Sequence, residues 1–551
     1  MLDFCQINSF CGCLKILGPE QIGFCQGKST LDHCAILAHF ANKYSKKDGP
    51  KLFAAFLDLK GAFDSIPRDL LWVKLLKLKL DKRLLYLIRN LYSSTSCQVK
   101  LTPFGSLTKK IPINRGVKQG CILAPFLFNL FMNDLAPCLC PKAGHSPKLG
   151  ISHVPILLYA DDAVILSHSQ IGLKRLLIQF LDFCEANRLV LNFEKSKIMA
   201  FGNVWNPLNW NIRGNVIKQV KTFKYLGIFF HHNANWATHR KYVISSAKTS
   251  SLAITRFFYT RGNQYVPAAL RVLNAKLSAQ LLYGIPIWIQ AFNQAVESLQ
   301  SVFLRKILGI PNCVSYAVLC LETSQRLLET RAWLLTIRFW LRMHFRSNPN
   351  SLISLMLAEC ESSTWLRYIE VKIRTIGISL DSLYLFSEKS AFELIKRRLL
   401  DTEFQELSSK ARNICSPISL GIPPSPQALA LYFYHLTAPQ LRRAFTLART
   451  NTLPSAMLYG RFKQIPYSAR ICPCGQHHIE TIVHVFFHCQ FYSQFQTKFL
   501  NPLLNNSKQY SDELKIQILL SSQNPDVIVP VARFVYLAMR EREHILYYST
   551  D

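Results

Sequence analysis

Residues 155–167 read PILLYADDAVILS, two short β-rich apolar runs joined across a pair of adjacent acids, Asp161 and Asp162. The compact solution for such a stretch is a β-hairpin with the acids at its tip. Two carboxylates held there repel each other and raise each other's pKa unless a cation lies beside them. A plain acidic turn is one reading, and a divalent-cation site is the other. Mg²⁺ takes carboxylate oxygens together with substrate phosphates. A third carboxylate from elsewhere would complete a two-metal site for in-line phosphoryl transfer.

The candidate for that third acid is Asp58, in KLFAAFLDLKGAFDSIP. Leu52 to Leu59 is a continuous apolar run of strand length, as expected for a strand covered on both faces. Pro67 then opens a segment in which Leu70, Val73 and Leu76 recur at helical spacing. Asp58 therefore stands at a strand-to-helix exit, either as a functional acid or as a structural Asp capping a turn.

The charge balance points to a polyanionic partner. The 551 residues carry 65 Lys and Arg against 33 Asp and Glu, a formal net charge of +32. A field of that size attracts nucleic acid first and an anionic membrane surface second. The hydrophobic share of 49% supplies large cores and excludes global disorder. Seventeen scattered cysteines, with no charged n-region and apolar h-region at the start, fit a reducing intracellular compartment with free or metal-bound thiols. The most apolar long run, Leu277 to Val296, is broken by Gly284 and Pro286 and reads as a buried helix pair rather than a membrane span.

The texture changes along the chain. Up to about residue 235, apolar runs alternate with helical patterns, as in a mixed α+β domain. Residues 236–345 are almost wholly helical with Arg and Lys spread through them, and helices continue to about 411. SPISLGIPPSP, Ser416 to Pro426, has the composition of a connector within a helical region spanning 346–460. A compact Cys/His segment occupies 461–495, and a helical tail, 496–551, closes the chain.

In that segment, CPCGQHHIETIVHVFFHC places Cys472, Cys474, His484 and Cys489 in a C-x-C-x₉-H-x₄-C pattern. Thiolates and imidazole at short spacing suit tetrahedral Zn²⁺. His477, His478 and His488 are alternative nitrogen donors. Arg461, Lys463, Tyr467 and Arg470 just before it mix basic and aromatic side chains, as a surface for single-stranded nucleic acid would.

Between and around the acids lie further blocks: LGPEQIGFCQGKSTLDHCAIL, RGVKQGCILAPFLFNLFMNDL, LNFEKSKIMAFG and FKYLGIFF. In this order and spacing the six stretches resemble a reverse transcriptase, more closely the type encoded by non-LTR (LINE-like) retrotransposons. The resemblance implies an α+β right-hand polymerase, with fingers and palm carrying an antiparallel palm sheet in 1–235 and a helical thumb in 236–345. A mostly helical C-terminal region with a small CCHC zinc knuckle would follow.

The resemblance also assigns roles. Asp58, Asp161 and Asp162 match the catalytic metal-binding triad for two Mg²⁺ ions, with Mn²⁺ able to substitute, and the Leu59 carbonyl adds a ligand. Phe63 matches the bulky residue beneath the incoming sugar, favouring deoxynucleotides; Gln119 and Gly120 match the dipeptide near the template base and primer end. Gly there suits a close backbone approach or a simple turn. Tyr159 supports the hairpin beneath the primer terminus, Lys195 or Lys197 approaches the leaving pyrophosphate, and Lys28 contacts phosphate. Tyr225, Leu226 and Gly227 match the primer-grip turn. The implied partners are an element RNA template, a DNA primer or target and deoxynucleoside triphosphates, in cytoplasm and nucleus and without a membrane; oligomeric state is left open.

Departures from the family pattern set a second hypothesis. Cys25 stands where a basic residue is usual, Cys121 replaces an acid and Ala124 a Ser. The chain starts close to the fingers block and shows neither an N-terminal endonuclease nor the acid-x-Lys of a C-terminal nuclease after Asn524. This reads as an N-terminally truncated element copy with incomplete fingers. It is expected to be either an RNA-directed DNA polymerase or a catalytically weak or silent nucleic-acid-binding remnant.

Overall fold

The computed structural model describes residues 17–45, 51–78, 80–101, 105–140, 145–202, 208–260, 265–346, 348–360, 363–414, 429–505 and 509–548. The chain divides into two compact units, Met1–His239 with Phe339–Ile369, and Arg240–Arg338 with Glu370–Asp551.

The first unit is built on a five-stranded sheet. Its strands are β1 (Leu52–Leu57), β2 (Ile156–Tyr159), β3 (Asp162–Ser167), β4 (Lys197–Phe201) and β5 (Lys218–Gln219), in the order β5-β4-β1-β3-β2. All six residues of β1 are buried, which is why its sequence is an unbroken apolar run rather than an alternation. Strand β1 is antiparallel to both β3 and β4, and β2 pairs antiparallel with β3. The edge departs from the expected antiparallel sheet, because β5 joins β4 in parallel through Lys197↔Lys218 and Ile198↔Gln219.

Helices pack over the sheet. Helix α1 (Thr30–Tyr44) opens on a capping box in which the Ser29 hydroxyl accepts from the Leu31 amide at 3.2 Å and the Asp32 carboxylate accepts from the Ser29 amide at 3.1 Å. Helix α2 (Arg68–Lys77) begins after Pro67, helix α3 (Ala124–Met132) buries most of its circumference, and α4 (Gln170–Ala186) is capped by Ser169. Phe53, Leu57, Leu127, Phe128, Phe131, Ile165, Phe180 and Ile198 meet in one core between these elements. Truncating one such buried Phe to Ala costs about 3–5 kcal/mol. That rigidity anchors the strand ends on which the acids sit. A separate hairpin, β6 (Thr222–Tyr225) and β7 (Ile228–His231), turns through Leu226 and Gly227, both with positive φ (44° and 88°). This geometry matches the right-handed strand twist and explains the glycine.

The second unit is helical. Leu277 to Val296 does not form one helix: it breaks at Gly284 (φ 69°) and restarts at Ile285–Trp288 with Pro286 in its first turn. No helix among the described residues is long and apolar enough to cross a membrane. Buried ion pairs tie the helices together. Arg449 donates to both Glu322 carboxylate oxygens at 2.9 and 3.0 Å, and the Tyr432 hydroxyl donates to the same carboxylate at 3.1 Å. The connector expected at 416–426 lies outside the described residues.

Candidate functional site

Strand register brings the three acids together. Leu57 pairs with Ala163 and Tyr159 with Asp162, so Asp58, one residue beyond β1, arrives beside the tip of the β2–β3 hairpin. The tip is a two-residue turn, Ala160 and Asp161, with Ala160 at φ 54°. A left-handed conformation costs an alanine about 1 kcal/mol, because its Cβ crowds the following carbonyl. The hairpin therefore holds strain at the residue next to the acid pair.

The electrostatics follow from crowding. Loss of water pushes the Asp161 carboxyl above its ordinary value, and Asp58 adds to the effect. Asp162 is raised further, to about 6, by partial desolvation and then by Asp161 and Asp58. Three acids gathered at adjoining strand ends offer the carboxylate oxygens that a divalent cation takes.

Asp58 already has positive company. Asn192 donates its side-chain amide to Asp58 Oδ2 at 3.0 Å, and the Lys195 ammonium lies 3.8 Å from the same oxygen. The backbone locks this arrangement, with the Asn192 amide donating to the Asp58 carbonyl and the Lys60 amide to the Val190 carbonyl, both at 2.8 Å. Leu59, buried, bridges Leu191 between them. Lys197 behaves differently, its ammonium turned onto the Glu194 and Ser196 carbonyls.

The remaining candidates are distributed around this centre. Phe63 is half-buried and stacked on Phe128, with ring centroids 4.6 Å apart. Gln119 is exposed and donates to both Asp64 oxygens at 3.0 Å. Gly120 has φ 80° with open space where a Cβ would sit, so backbone conformation rather than a close neighbour within the chain accounts for it. Tyr159 is half-buried beside the exposed Phe24, 6.3 Å between ring centroids, and Lys28 is exposed in the loop before α1. Tyr225, by contrast, is buried against Phe56 and Phe230.

Two residues that motif reasoning passed over join the site. Asn192, inside LNFEKSK, orients Asp58, and Gln21, inside PEQIGF, reaches the hairpin tip, its carbonyl oxygen accepting from the Ala160 amide at 3.0 Å.

In the second unit, the ligand atoms of Cys472, Cys474, His484 and Cys489 all lie within 4.8 Å of one another. Cys472 Sγ is 3.8 Å from Cys489 Sγ, and Cys474 Sγ is 3.4 Å from His484 Nε2. Gly475, at φ 78°, turns the chain after the first pair, and the Cys489 amide donates to the His484 carbonyl at 2.8 Å to fix the second. Contact with Cys489 and burial push the Cys472 thiol up, while the same contact pulls Cys489 down. The alternative nitrogens fall outside the four-residue cluster: His488 pairs with Asp512 at 2.9 Å, His477 is exposed, and His478, also exposed, lies with its ring centroid 5.5 Å from that of His484. Three thiols and one imidazole Nε2 are a donor set that fits a tetrahedral metal. Glu480 backs the cluster, accepting from Arg542 at 2.6 and 2.9 Å, and Phe486 packs on Phe534. Of the basic and aromatic residues before it, Arg461, Lys463 and Tyr467 are exposed, while Arg470 donates to the Ile465 carbonyl.

Residues 4–230 match the family described as reverse transcriptase (RNA-dependent DNA polymerase). The chain is similar to the retrovirus-related Pol polyprotein from type-1 retrotransposable element R2 of Popillia japonica, 30% identical over 39% of this chain and 31% of that protein. It is also similar to the RNA-directed DNA polymerase from mobile element jockey of Drosophila melanogaster, 24% identical over 54% of this chain and 32% of that protein. The chain spans about a third of the length of these curated relatives. A solved telomerase from Candida albicans overlaps loosely, with a TM-score of 0.34 and 12% identity over 68% of this chain and 58% of that one.

Proposed function

We propose that residues 4–230, which match the reverse transcriptase family, are a polymerase domain of the non-LTR retrotransposon type, and that the chain is an RNA-directed DNA polymerase extending a DNA 3′-hydroxyl on an element RNA template. The observation that carries this reading is the convergence of Asp58 with Asp161 and Asp162 at adjoining strand ends, where loss of water and then the neighbouring acids raise the carboxyls of the hairpin pair.

Asp58, Asp161 and Asp162, with the Leu59 carbonyl, are the groups that would hold two Mg²⁺ ions. When bound, the ions supply charge neutralisation at the reacting phosphates and a lowered pKa for the primer hydroxyl. Asn192 fixes the Asp58 carboxylate in one orientation. Lys195, on a long exposed stem, is the cation that leaves Asp58 and meets the departing pyrophosphate. Phe63, backed by Phe128, sets a ring against the sugar and disfavours a 2′-hydroxyl. Gln119 and Gly120 line the template side, Tyr159 supports the primer end, and Lys28 adds a phosphate contact.

Residues 236–345 serve as a helical thumb whose basic side chains track the duplex backbone without reading sequence. Cys472, Cys474, His484 and Cys489 form a zinc knuckle, and the exposed Arg461, Lys463 and Tyr467 beside it bind single-stranded nucleic acid.

The test is primer extension on an RNA template with Mg²⁺, wild type against an Asp161→Ala, Asp162→Ala double variant. Extension by the wild type alone supports the polymerase. Equal behaviour of the two, with salt-sensitive RNA binding in both, would leave only a nucleic-acid-binding protein.

A further inference from the structure

We propose that the Gln21 side-chain amide is a positioning group for the acid-bearing hairpin, clamping both backbone groups of Ala160 so that the left-handed turn, and with it the aim of Asp161 and Asp162, is held before any metal or nucleotide arrives. The inference rests on the polymerase reading above and deepens it.

The clamp is two-sided. Gln21 Oε1 accepts from the Ala160 amide at 3.0 Å, and Gln21 Nε2 donates to the Ala160 carbonyl at 3.4 Å. Gln21 is 5% exposed, so these bonds form where water does not compete. The same oxygen accepts from the Gly23 amide at 2.9 Å, which fixes the amide's orientation from its own chain. Ala160 is 139 residues away in sequence, so the contact joins the block before α1 to the hairpin tip.

Three further contacts show that the clamp is built in. The Ile22 amide donates to the Leu158 carbonyl at 3.1 Å and the Leu158 amide to the Glu20 carbonyl at 2.9 Å, laying residues 20–22 along β2 as an extra lane. Asn129, on α3, donates to the Gly23 carbonyl at 2.6 Å. A Cβ on Gly23 would fall 2.4 Å from the Ala160 nitrogen, so only glycine lets this segment lie so close to the tip. A glutamine amide supplies the acceptor and donor that a turn residue bent away from its own ladder lacks. Without it, alanine at φ 54° has reason to relax toward the right-handed region and swing the adjoining carboxylates.

The experiment is a double-mutant cycle with a structural readout. Gln21→Ala should lower kcat on a primed RNA template by about tenfold to a hundredfold, with primer–template affinity little changed. In an Ala160→Gly background, where the left-handed turn carries no penalty, the same Gln21→Ala change should cost less than about threefold. Hydrogen exchange of the peptide spanning residues 157–163 should speed up in Gln21→Ala, since the Ala160 amide loses its acceptor. Gln21→Met, similar in length and without the amide, takes the same measurements if the alanine variant fails to fold. Equal losses in both backgrounds, or unchanged exchange at 157–163 in a folded variant, would overturn the proposal. Should the wild type itself extend no primer, the polymerase reading falls, and the exchange measurement still decides whether Gln21 holds the hairpin.

Discussion

Lys195 stands 3.8 Å from Asp58, with the two side chains 71% and 38% exposed, so the carboxylate that heads the acid cluster is already partnered by a solvent-exposed cation. An ion pair this open is worth about 0–1 kcal/mol, weak enough for a divalent ion to displace. Lys195→Ala is expected to lower the Mg²⁺ concentration giving half-maximal extension, because the ammonium no longer competes at Asp58. The same change should cut the maximal rate about tenfold or more through loss of charge at the leaving group. A Mg²⁺ titration of single-nucleotide incorporation reads both effects.

Asp162 yields a pH prediction whose sign is fixed. Its folded pKa, about 6, lies above the ordinary 3.8. The folded state therefore keeps a proton that the unfolded chain releases, and stability falls as pH rises through that window. Asp162→Asn should match the wild type in thermal unfolding below about pH 4 and exceed it above pH 6, by about 1 kcal/mol once solvent screening of this exposed group is counted. Added Mg²⁺ should narrow the gap by stabilising the wild type alone.

Much of the acid cluster is legible in the sequence, because apolar runs locate strand ends and Asp58, Asp161 and Asp162 interrupt those runs. The four cysteine and histidine positions also stand out by spacing, although only the folded turn separates His484 from His477, His478 and His488. The second tier is not legible. Gln21 reaches Ala160 across 139 residues and Asn192 reaches Asp58 across 134, and no local period encodes such a pairing. Lys195 and Lys197 look alike in sequence, yet one side chain meets Asp58 while the other turns onto Glu194 and Ser196. The parallel edge pairing of β5 likewise follows from where the chain returns, which composition does not encode.

The Cys/His cluster should behave as a folding element. Cys472→Ser, or extraction of metal by a strong chelator, is expected to lower the unfolding temperature of the second unit and to release about one equivalent of zinc, since metal binding at such sites is coupled to folding. Inductively coupled plasma mass spectrometry with paired thermal scans measures both. A folded protein with no stoichiometric metal would remove the knuckle assignment.

Glu480 is buried with its carboxylate bound by Arg542, and it also accepts from the Ala456 amide. Glu480→Ala leaves that guanidinium buried without its partner and is expected to cost about 3–5 kcal/mol in denaturant unfolding of the second unit. Glu480→Gln, which keeps one acceptor oxygen, should cost less.

The most direct test of the central claim is single-nucleotide incorporation on a primed RNA template with Mg²⁺, comparing wild type with Asp58→Ala. Template-directed addition of a deoxynucleotide by the wild type, reduced at least about a thousandfold in the variant, is the expected result. Incorporation that survives loss of Asp58, or that proceeds equally well with Mg²⁺ chelated, would contradict it.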